Sequence, residues 1–580
     1  MKSNLAVVMA LMGILLPLAP VRAQVVPDAG PRPASECRTA LYLGRPDLTG
    51  PVADLARVSE LIGAAPVRPH LIRRAAEAMV LPTCDGGDAF PWRDRFRPER
   101  DSADLRIDIV QPRWSNHFNS AYPNDRNNGA LWAGRGLSTS VDGGVIVHWR
   151  HGPATLSAGL APAIIFQENH DFQIVTGATP SGYSPFVNPW HPRRIDWPQR
   201  FGEDAFWVLD PGQSFIRVDA YHATVGFSTE NLWWGPALRN PLLMSNTAPG
   251  FPHVFLGTSS PLELPIGTVE ARAVWGHLAE SDYFDRIASN DRRMIAGLVF
   301  DYGPRWLPGL FLGFARAFLA NIPADGLSIS EYVSRPYGNL RSNPVGGRNP
   351  LGNDQILSVF ARWALPAAGF EAYAEWGRED NWDGLEDLIM EPDHSEGYTL
   401  GFQKMLPAGD RWIRFYGEWT NLETPPTYRT GRAGGIAFYV HHQIRQGYTQ
   451  RGQLLGASIG PGSSAQFLGA DLYDRWGRLG LFVERIRHDN DAYYNTWAFR
   501  YGYKGHDVEL TGGIHHLFFD GPFRIGWGLA YSRRYNRNFL ALMSPAPRIE
   551  NNWTFDLGVV WQPFWPERTT ARVSAPRAIH

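Results

Sequence analysis

Cysteine is scarce in this chain of 580 residues, and the only two, Cys37 and Cys84, both lie near the N-terminus. Exported proteins meet an oxidising environment in which such a pair can form a disulfide. The sequence therefore suggests a bridge between Cys37 and Cys84, with two unpaired thiols as the alternative.

An excess of charge and long apolar runs are also missing. The formal net charge is −2, and acidic and basic residues are spread along the chain. This distribution lacks the basic footprint of a nucleic-acid-binding protein, so nucleic acid is not expected as a partner. After residue 23 there is no run of the roughly 18 apolar residues that a membrane-spanning helix needs, which excludes a helical inner-membrane protein.

The first 23 residues have the features of a secretory signal peptide. Lys2 precedes an apolar stretch from Leu5 to Leu18, and small residues near Ala23 provide a cleavage site before Gln24. No cysteine follows this site, so a lipoprotein is not expected. The sequence predicts export to the periplasm, the exterior or the outer membrane.

Aromatic residues and glycine are abundant, with 22 Trp, 21 Tyr, 31 Phe and 59 Gly, whereas Lys- and Glu-rich helical surface is sparse. From about residue 104 onward, apolar and small or polar residues alternate with a period of two, as in Trp553 to Trp561 and Phe523 to Tyr531. Trp553 and Trp561 occupy both ends of one apolar face, where the aromatic girdles of membrane barrels lie. The fold class predicted is an all-β transmembrane β-barrel of about 18 antiparallel strands.

Residues 24–100 differ from this pattern, because Val52 to Ile62 and Leu71 to Val80 have helical spacing. They predict a small N-terminal α-helical element in the periplasm or plugging the barrel, followed by the barrel at 101–565 and a tail at 566–580. Short and long connections alternate, as expected for periplasmic turns and outer loops. Two long segments, 228–265 and 445–463, are predicted on the periplasmic side, folding into the lumen.

Three blocks of sequence resemble the Wzi family of capsule assembly proteins. They are Asn-Leu-Trp-Trp-Gly-Pro and its continuation at 231–252, Leu-Ile-Met-Glu-Pro-Asp-His-Ser-Glu-Gly-Tyr-Thr-Leu-Gly at 388–401, and Gly-Tyr-Thr-Gln-Arg-Gly-Gln-Leu-Leu-Gly at 447–456. The resemblance implies an outer-membrane barrel that acts as a lectin and anchors capsular polysaccharide to the cell surface. The implied partners are capsular or exopolysaccharide and the lipids and lipopolysaccharide of the outer membrane; no cofactor is implied, and no oligomeric state is predicted.

The resemblance supplies no sugar-binding residues, so these are chosen by chemistry. Sugars offer an apolar C–H face and hydroxyls, and acidic sugars add carboxylates that a guanidinium can bind through two hydrogen bonds. The leading candidate is the outer loop 167–212, which holds Tyr183, Trp190, His191, Arg193, Arg194 and Trp197. Arg239 and Asn246 are further candidates if their segment lines the lumen, with the alternative that they are buried hydrogen-bond partners of the loop's own backbone. The alternatives are that the loop aromatics pack on the barrel mouth and that Trp233-Trp234-Gly235-Pro236 is structural.

An enzyme is not predicted. Asp393-His394-Ser395 has the residue types of a hydrolytic triad, but consecutive residues on a strand point to opposite faces. The pairs His441-His442 and His515-His516 are poor metal ligands for the same reason. The alternatives to polysaccharide anchoring are a passive porin, since a barrel of this size can enclose a channel, and an outer-membrane hydrolase.

Overall fold

The computed structural model describes residues 38–42, 53–74, 78–82, 92, 104–176, 179–323, 325–338, 353–379, 389–390, 393, 395–425, 438–495, 505–542 and 549–562. The expected signal peptide at 1–23, the cysteines Cys37 and Cys84, and the tail at 566–580 lie outside these ranges. The predictions made for them therefore remain predictions.

Eighteen antiparallel strands form a closed barrel, which confirms the predicted fold class. Three strands are interrupted: each consists of two consecutive segments that pair with the same neighbouring strand. In chain order the strands are β1 (Leu105–Asn119), β2 (Gly136–His151), β3 (Ala154–Leu160 with Ala163–Gln167), β4 (Phe206–Asp210 with Phe215–Ala220), β5 (Ala223–Ser228), β6 (His253–Thr258 with Leu262–Leu264), β7 (Gly267–Ala279), β8 (Arg292–Pro304), β9 (Leu310–Asn321), β10 (Asn353–Leu365), β11 (Phe370–Glu379), β12 (Glu396–Ala408), β13 (Arg411–Asn421), β14 (Ser464–Asp474), β15 (Gly477–His488), β16 (Asp507–Asp520), β17 (Phe523–Tyr535) and β18 (Ile549–Trp561).

The barrel closes where the last strand meets the first, with Thr554 of β18 opposite Asn119 of β1. Closure leaves no unpaired strand edge, which is a requirement for a sheet in the hydrocarbon of a membrane. The strands show the predicted alternation. On β18, Trp553 and Phe555 are 51% and 41% exposed, whereas Asn552 and Thr554 are 0% and 3% exposed. The outer surface is therefore apolar and the lumen polar, as in an outer-membrane barrel.

Long connections follow the odd-numbered strands and short turns follow the even-numbered strands. The expectation that 228–265 and 445–463 lie on the periplasmic side is wrong. The first contains the connection 229–252 after β5, and the second belongs to the connection 422–463 after β13, so both start from the outer rim. The strands β5 and β6 consist of short or interrupted segments, so alternation of apolar and polar residues does not identify them when strands are counted.

Both of these outer connections fold into the lumen, as expected. Trp233, Trp234 and Leu242 of the first are fully buried, as are Tyr439 and Tyr448 of the second. The Tyr439 hydroxyl donates a hydrogen bond to the Leu242 carbonyl at 2.6 Å, which joins the two segments. Burial of Trp233 and Trp234 supports a structural role for the Trp-Trp-Gly-Pro sequence. Together with strand residues that face the lumen, the segments form the largest apolar cluster of the described residues.

An N-terminal helix, Ala53–Leu61, lies inside the barrel at the rim of the short turns. Leu55, Val58 and Leu61 are buried against the ends of several strands, including Met405 and Leu517. This confirms the predicted N-terminal helix.

The helix predicted for Leu71 to Val80 is wrong. Ile72–Arg74 is a strand that pairs with Leu232–Trp234, and Ala78–Pro82 is a strand that pairs with Arg38–Tyr42. A backbone partner from the lumenal connection satisfies the hydrogen bonds of 72–74, and this pairing overrides the local helical spacing.

The other elements are short and lie mainly in the connections. No helix in the described ranges is long and apolar enough to cross a membrane. These elements are the helices Ile329–Gly338 and Asn490–Asn495, the 3-10 turns Pro366–Ala368 and Arg537–Leu542, and the paired segments Thr449–Gln450 and Gln453–Leu454.

Candidate functional site: an outer cleft

A cleft opens among the outer connections, above the segments that fill the lumen, and its empty space together with the open solvent at its mouth is about 1140 Å³. We call it the outer cleft. Six connections or strand ends contribute to it, and these are far apart in sequence. Its aromatic and charged lining residues are Tyr122, Asp125, Arg126, Trp132, Phe172, Trp190, Trp197, His488, Asp489, Asp507, Glu509, Arg534, Arg537 and Phe539.

Aromatic rings form much of the cleft wall. Trp190 contacts Phe539 edge to face, with 5.3 Å between the ring centroids. Phe539 has a φ of 54°, in the left-handed region that non-glycine residues seldom adopt, so the contact holds a strained turn. Trp197 lies over Gly460, where a Cβ atom would come within 2.5 Å of the indole ring. Only glycine at 460 lets the indole lie this close.

Charged side chains cross the floor of the cleft in pairs. Arg534 binds both carboxylate oxygens of Asp507 at 2.7 Å. The Arg537 Nε lies 2.9 Å from a carboxylate oxygen of Glu550. Bidentate guanidinium–carboxylate pairs fix both partners in one geometry. The floor is therefore a rigid polar surface.

His191 joins two of the outer connections. Its Nε2 lies 3.2 Å from the Asp489 carboxylate, and Asn188 accepts hydrogen bonds from the backbone N–H groups of Trp190 and His191, each at 2.9 Å. Burial opposes protonation of the imidazole, as does Arg194, but Asp489 and Asp491 outweigh them and raise the pKa of His191. In its protonated form, His191 holds the 168–205 connection against the β15–β16 connection.

We expect His191→Gln to lower the free energy of unfolding by about 1–3 kcal/mol at low pH, where it removes a charge-assisted hydrogen bond. Because the folded-state pKa is raised, the stabilisation is complete below the ordinary histidine pKa of 6.5 and is lost as the pH rises through the folded value. The difference between wild type and variant, measured by denaturant unfolding from pH 5 to 9, should shrink with rising pH. His170→Gln is the control, because its ion pair with Glu168 is largely exposed. A pH-independent difference would contradict the assignment.

The structure brings two of the predicted loop residues, Trp190 and Trp197, into the outer cleft. Tyr183 lies outside it, with its ring against Phe284 at 5.3 Å and its hydroxyl accepting from Arg445. Arg193 and Arg194 are exposed, and neither lines the cleft.

Arg239 and Asn246 are placed in the packed lumen. The Arg239 guanidinium lies 4.0 Å from the centre of the Phe467 ring and 3.2 Å from Glu484. Asn246 is fully buried, and its side-chain amide donates to the Asn127 carbonyl at 3.0 Å. Neither residue lines the cleft, and these contacts support the interior of the barrel.

Sequence reasoning missed Tyr122, Phe172, Arg534 and Arg537. The guanidinium groups of Arg534 and Arg537 lie 5.7 and 5.6 Å from the centre of the Tyr122 ring. More than 400 positions separate Tyr122 from these arginines, and no local spacing relates them. The one available signal was the aromatic and basic character of the connections after β1 and β17.

The histidine pairs have structural partners. His515 lies 2.9 Å from Asp471, whereas the neighbouring His516 packs against Trp527. His441 accepts hydrogen bonds from the backbone N–H groups of Gln443 and Ile444. Within the ranges that the structure describes, no three His, Cys, Asp or Glu side chains are grouped as metal ligands would be.

Comparison with known proteins gives a family and a fold. The family described as Capsule assembly protein Wzi matches residues 110–473. Among solved structures, Wzi of Escherichia coli, an outer-membrane protein involved in group 1 capsule assembly and a carbohydrate-binding β-barrel, is 12% identical. The match covers 77% of this chain and 84% of that chain, with a TM-score of 0.51.

Other matches are more distant. OccK2 (OpdF) and OpdQ of Pseudomonas aeruginosa are each 11% identical, and each match covers 79% of this chain and 97% of theirs, with a TM-score of 0.39. No curated protein matches the sequence. The Escherichia coli structure supports the barrel fold, and the family match spans more than half of the chain. The chain belongs to the Wzi family of capsule assembly proteins, which lie in the outer membrane.

Proposed function

We propose that this protein binds capsular polysaccharide in the outer cleft and retains it on the cell surface. The observation that supports the proposal is the position of the cleft, which opens at the outer rim and combines aromatic walls with a polar floor. Ligand sites typically pair apolar and aromatic walls with a few fixed polar groups. Pyranose rings match this lining, because they have an apolar C–H face and hydroxyl groups at the edge.

Retention would come from many protein copies that engage one long polymer. Each contact between one cleft and a short sugar segment can be weak, because linked binding events raise the overall avidity without new contacts. A single substitution then has a larger effect on the binding of a short oligosaccharide than on the retention of an intact capsule.

The packed lumen argues against the porin alternative. Between β5 and β6, and between β13 and β14, the described residues are largely buried and hydrogen-bonded to one another, as in Ser245 N–H to the Leu455 carbonyl at 2.8 Å. A barrel of this size encloses an aqueous channel only when it is not filled. The family comparison concerns carbohydrate binding in capsule assembly and gives no support to a hydrolase.

A deletion strain tests the proposal. We expect polysaccharide to be synthesised in normal amount but shed into the medium, and the wild-type gene to restore retention. The variant Trp190→Ala should restore retention only in part, whereas Trp306→Ala, an exposed tryptophan at the opposite rim, should restore it fully. Cell-bound, released and total polysaccharide are measured together. Unchanged retention in the deletion strain would refute the proposal.

A further inference from the structure

Two hydrogen-bond donors in the wall of the outer cleft have no hydrogen-bond partner among the described residues. They are the hydroxyl of Tyr122 and the indole N–H of Trp190, both buried atoms that form no hydrogen bond with any residue that the structure describes. Tyr122 as a whole is 1% exposed. Buried polar groups are almost always paired in proteins, so unpaired ones need a specific explanation. Two unpaired donors in one cleft indicate positions where a bound ligand supplies the hydrogen-bond acceptors.

Burial raises the pKa of the Tyr122 hydroxyl, and the nearby carboxylate of Glu509 acts in the same direction. The hydroxyl therefore stays protonated near neutral pH. The indole N–H of Trp190 can only donate. Both groups suit the hydroxyl or ring oxygens of a sugar, which accept hydrogen bonds.

The guanidinium groups of the cleft are already neutralised. Arg534 holds Asp507 through two hydrogen bonds, and its remaining nitrogen faces Glu509 at 3.9 Å. Arg537 holds Glu550 and donates to the Gln173 carbonyl at 2.8 Å. No arginine among the described lining residues is without a carboxylate.

The third lining arginine, Arg126, contacts the carboxylate of Glu484 and lies 3.5 Å from Glu509. Two more carboxylates, Asp125 and Asp489, also line the cleft. A sugar carboxylate would therefore find no arginine among the described lining residues that is not already paired with a carboxylate. This differs from the expectation that arginines bind acidic sugars through two hydrogen bonds.

We infer that the outer cleft selects an uncharged pyranose segment of the polymer, with Tyr122 and Trp190 donating hydrogen bonds to its oxygens. The inference rests on the proposed function and names the class of sugar that the cleft takes. Trp190, Trp197 and Phe172 supply the apolar wall against which the C–H faces of such sugars pack.

The first test uses capsular polysaccharide of the source strain, cut into oligosaccharides, and the same material after chemical reduction of its carboxylates to alcohols. We expect the affinity of the full-length protein in detergent for the two probes to differ by less than about threefold, and to change little between low and high salt because few ion pairs form on binding. A tenfold or larger loss on carboxylate reduction or at high salt overturns the inference but leaves the proposed function intact. Failure to bind the untreated probe overturns both.

The second test separates binding from folding. Tyr122→Phe and Trp190→Phe each remove one donor and keep an aromatic ring, so we expect each to weaken binding by about tenfold, the loss of roughly one hydrogen bond. The Tyr122 hydroxyl has no hydrogen-bond partner among the described residues, so Tyr122→Phe should not lower the melting temperature. Trp190→Phe also loses packing against Phe539, so its affinity is measured at a temperature where the variant is fully folded. Tyr221→Phe, an exposed tyrosine at the opposite rim, is the matched control and should bind as wild type does. Unchanged affinity in both cleft variants, or a loss of affinity in Tyr122→Phe that follows a drop in its melting temperature, overturns the inference.

Discussion

Glu371→Ala should loosen the N-terminal helix and lower the free energy of unfolding by about 3–5 kcal/mol, the usual result of removing one partner from a buried ion pair. Glu371 is 0% exposed and lies between two arginines, Arg57 of the helix and Arg362 of β10. Arg362 donates to Glu371 at 2.6 Å and to Glu60 of the helix at 2.8 Å. Without Glu371, two buried guanidinium groups lose a shared carboxylate.

The helix contributes a second carboxylate to this cluster. Burial opposes ionisation of Glu60, but His70 and Arg362 outweigh it and lower the pKa of this carboxyl. Glu60 is therefore charged at neutral pH and partly compensates Arg362 in the variant. We expect this remaining pair to hold part of the helix in place, so that detachment is incomplete.

Denaturant unfolding and limited trypsin digestion measure the effect, since a released helix exposes Arg57 to cleavage. Arg193→Ala, at an exposed position in an outer loop, is the control, and its stability should lie within about 0.5 kcal/mol of wild type. Glu371→Gln retains the shape and part of the hydrogen bonding and should fall between these two. A Glu371→Ala protein as stable and trypsin-resistant as wild type would show that the cluster does not hold the helix.

Shortening the connection between β13 and β14 should convert a barrel with a filled lumen into one that conducts ions. Asn421 and Ser464 are register partners at the two ends of this connection, so a Gly–Ser turn of about four residues can replace 424–461 without displacing either strand. The change removes Tyr439 and Leu455 and thereby the partners of the other lumenal connection. We expect conductance in planar bilayers to rise by at least about tenfold, because an unfilled barrel of this size holds water.

The matched control removes residues 325–338, another outer segment, whose helix carries Ile329 at 85% exposure. This deletion should leave conductance at the wild-type level, while both proteins should keep the heat-dependent shift on gels that marks a folded barrel. A folded protein that does not conduct after loss of 424–461 would show that the connection 229–252 and the N-terminal segment seal the lumen without it.

The wall of the barrel could be predicted from the sequence because each strand carries its own signal. Trp553 and Phe555 face the lipid, and the residues that alternate with them face the lumen, as the pattern predicts. The sequence could not show whether the two lumenal connections start from the outer or the periplasmic rim, because that assignment depends on counting every strand. Segments as short as Ala223–Ser228 contain too few alternating residues to be recognised as strands. One missed strand reverses the assigned side of a following connection.

The candidate site shows the same limit. Trp190 and Trp197 stood out because aromatic residues cluster in one outer loop, and both line the cleft. Tyr122 and Arg537 could not be identified in this way, because closure of the barrel brings them together and no local sequence pattern relates them. Ile72–Arg74 was assigned to a helix because its partner, Leu232–Trp234, lies about 160 positions further along the chain. Long-range pairing, which spacing alone does not reveal, explains each of these differences.

Closure between β1 and β18 also determines the order of assembly. The hydrogen bond between Thr554 and Asn119 joins residues 435 positions apart. Pairing of such distant segments slows folding, and this contact cannot form before the last strand is available. Until then, β1 and the growing end of the sheet both present unpaired edges. Completion of the wall is therefore all or none, and a chain that stops before Ile549 has two open edges that can pair with other chains or be degraded.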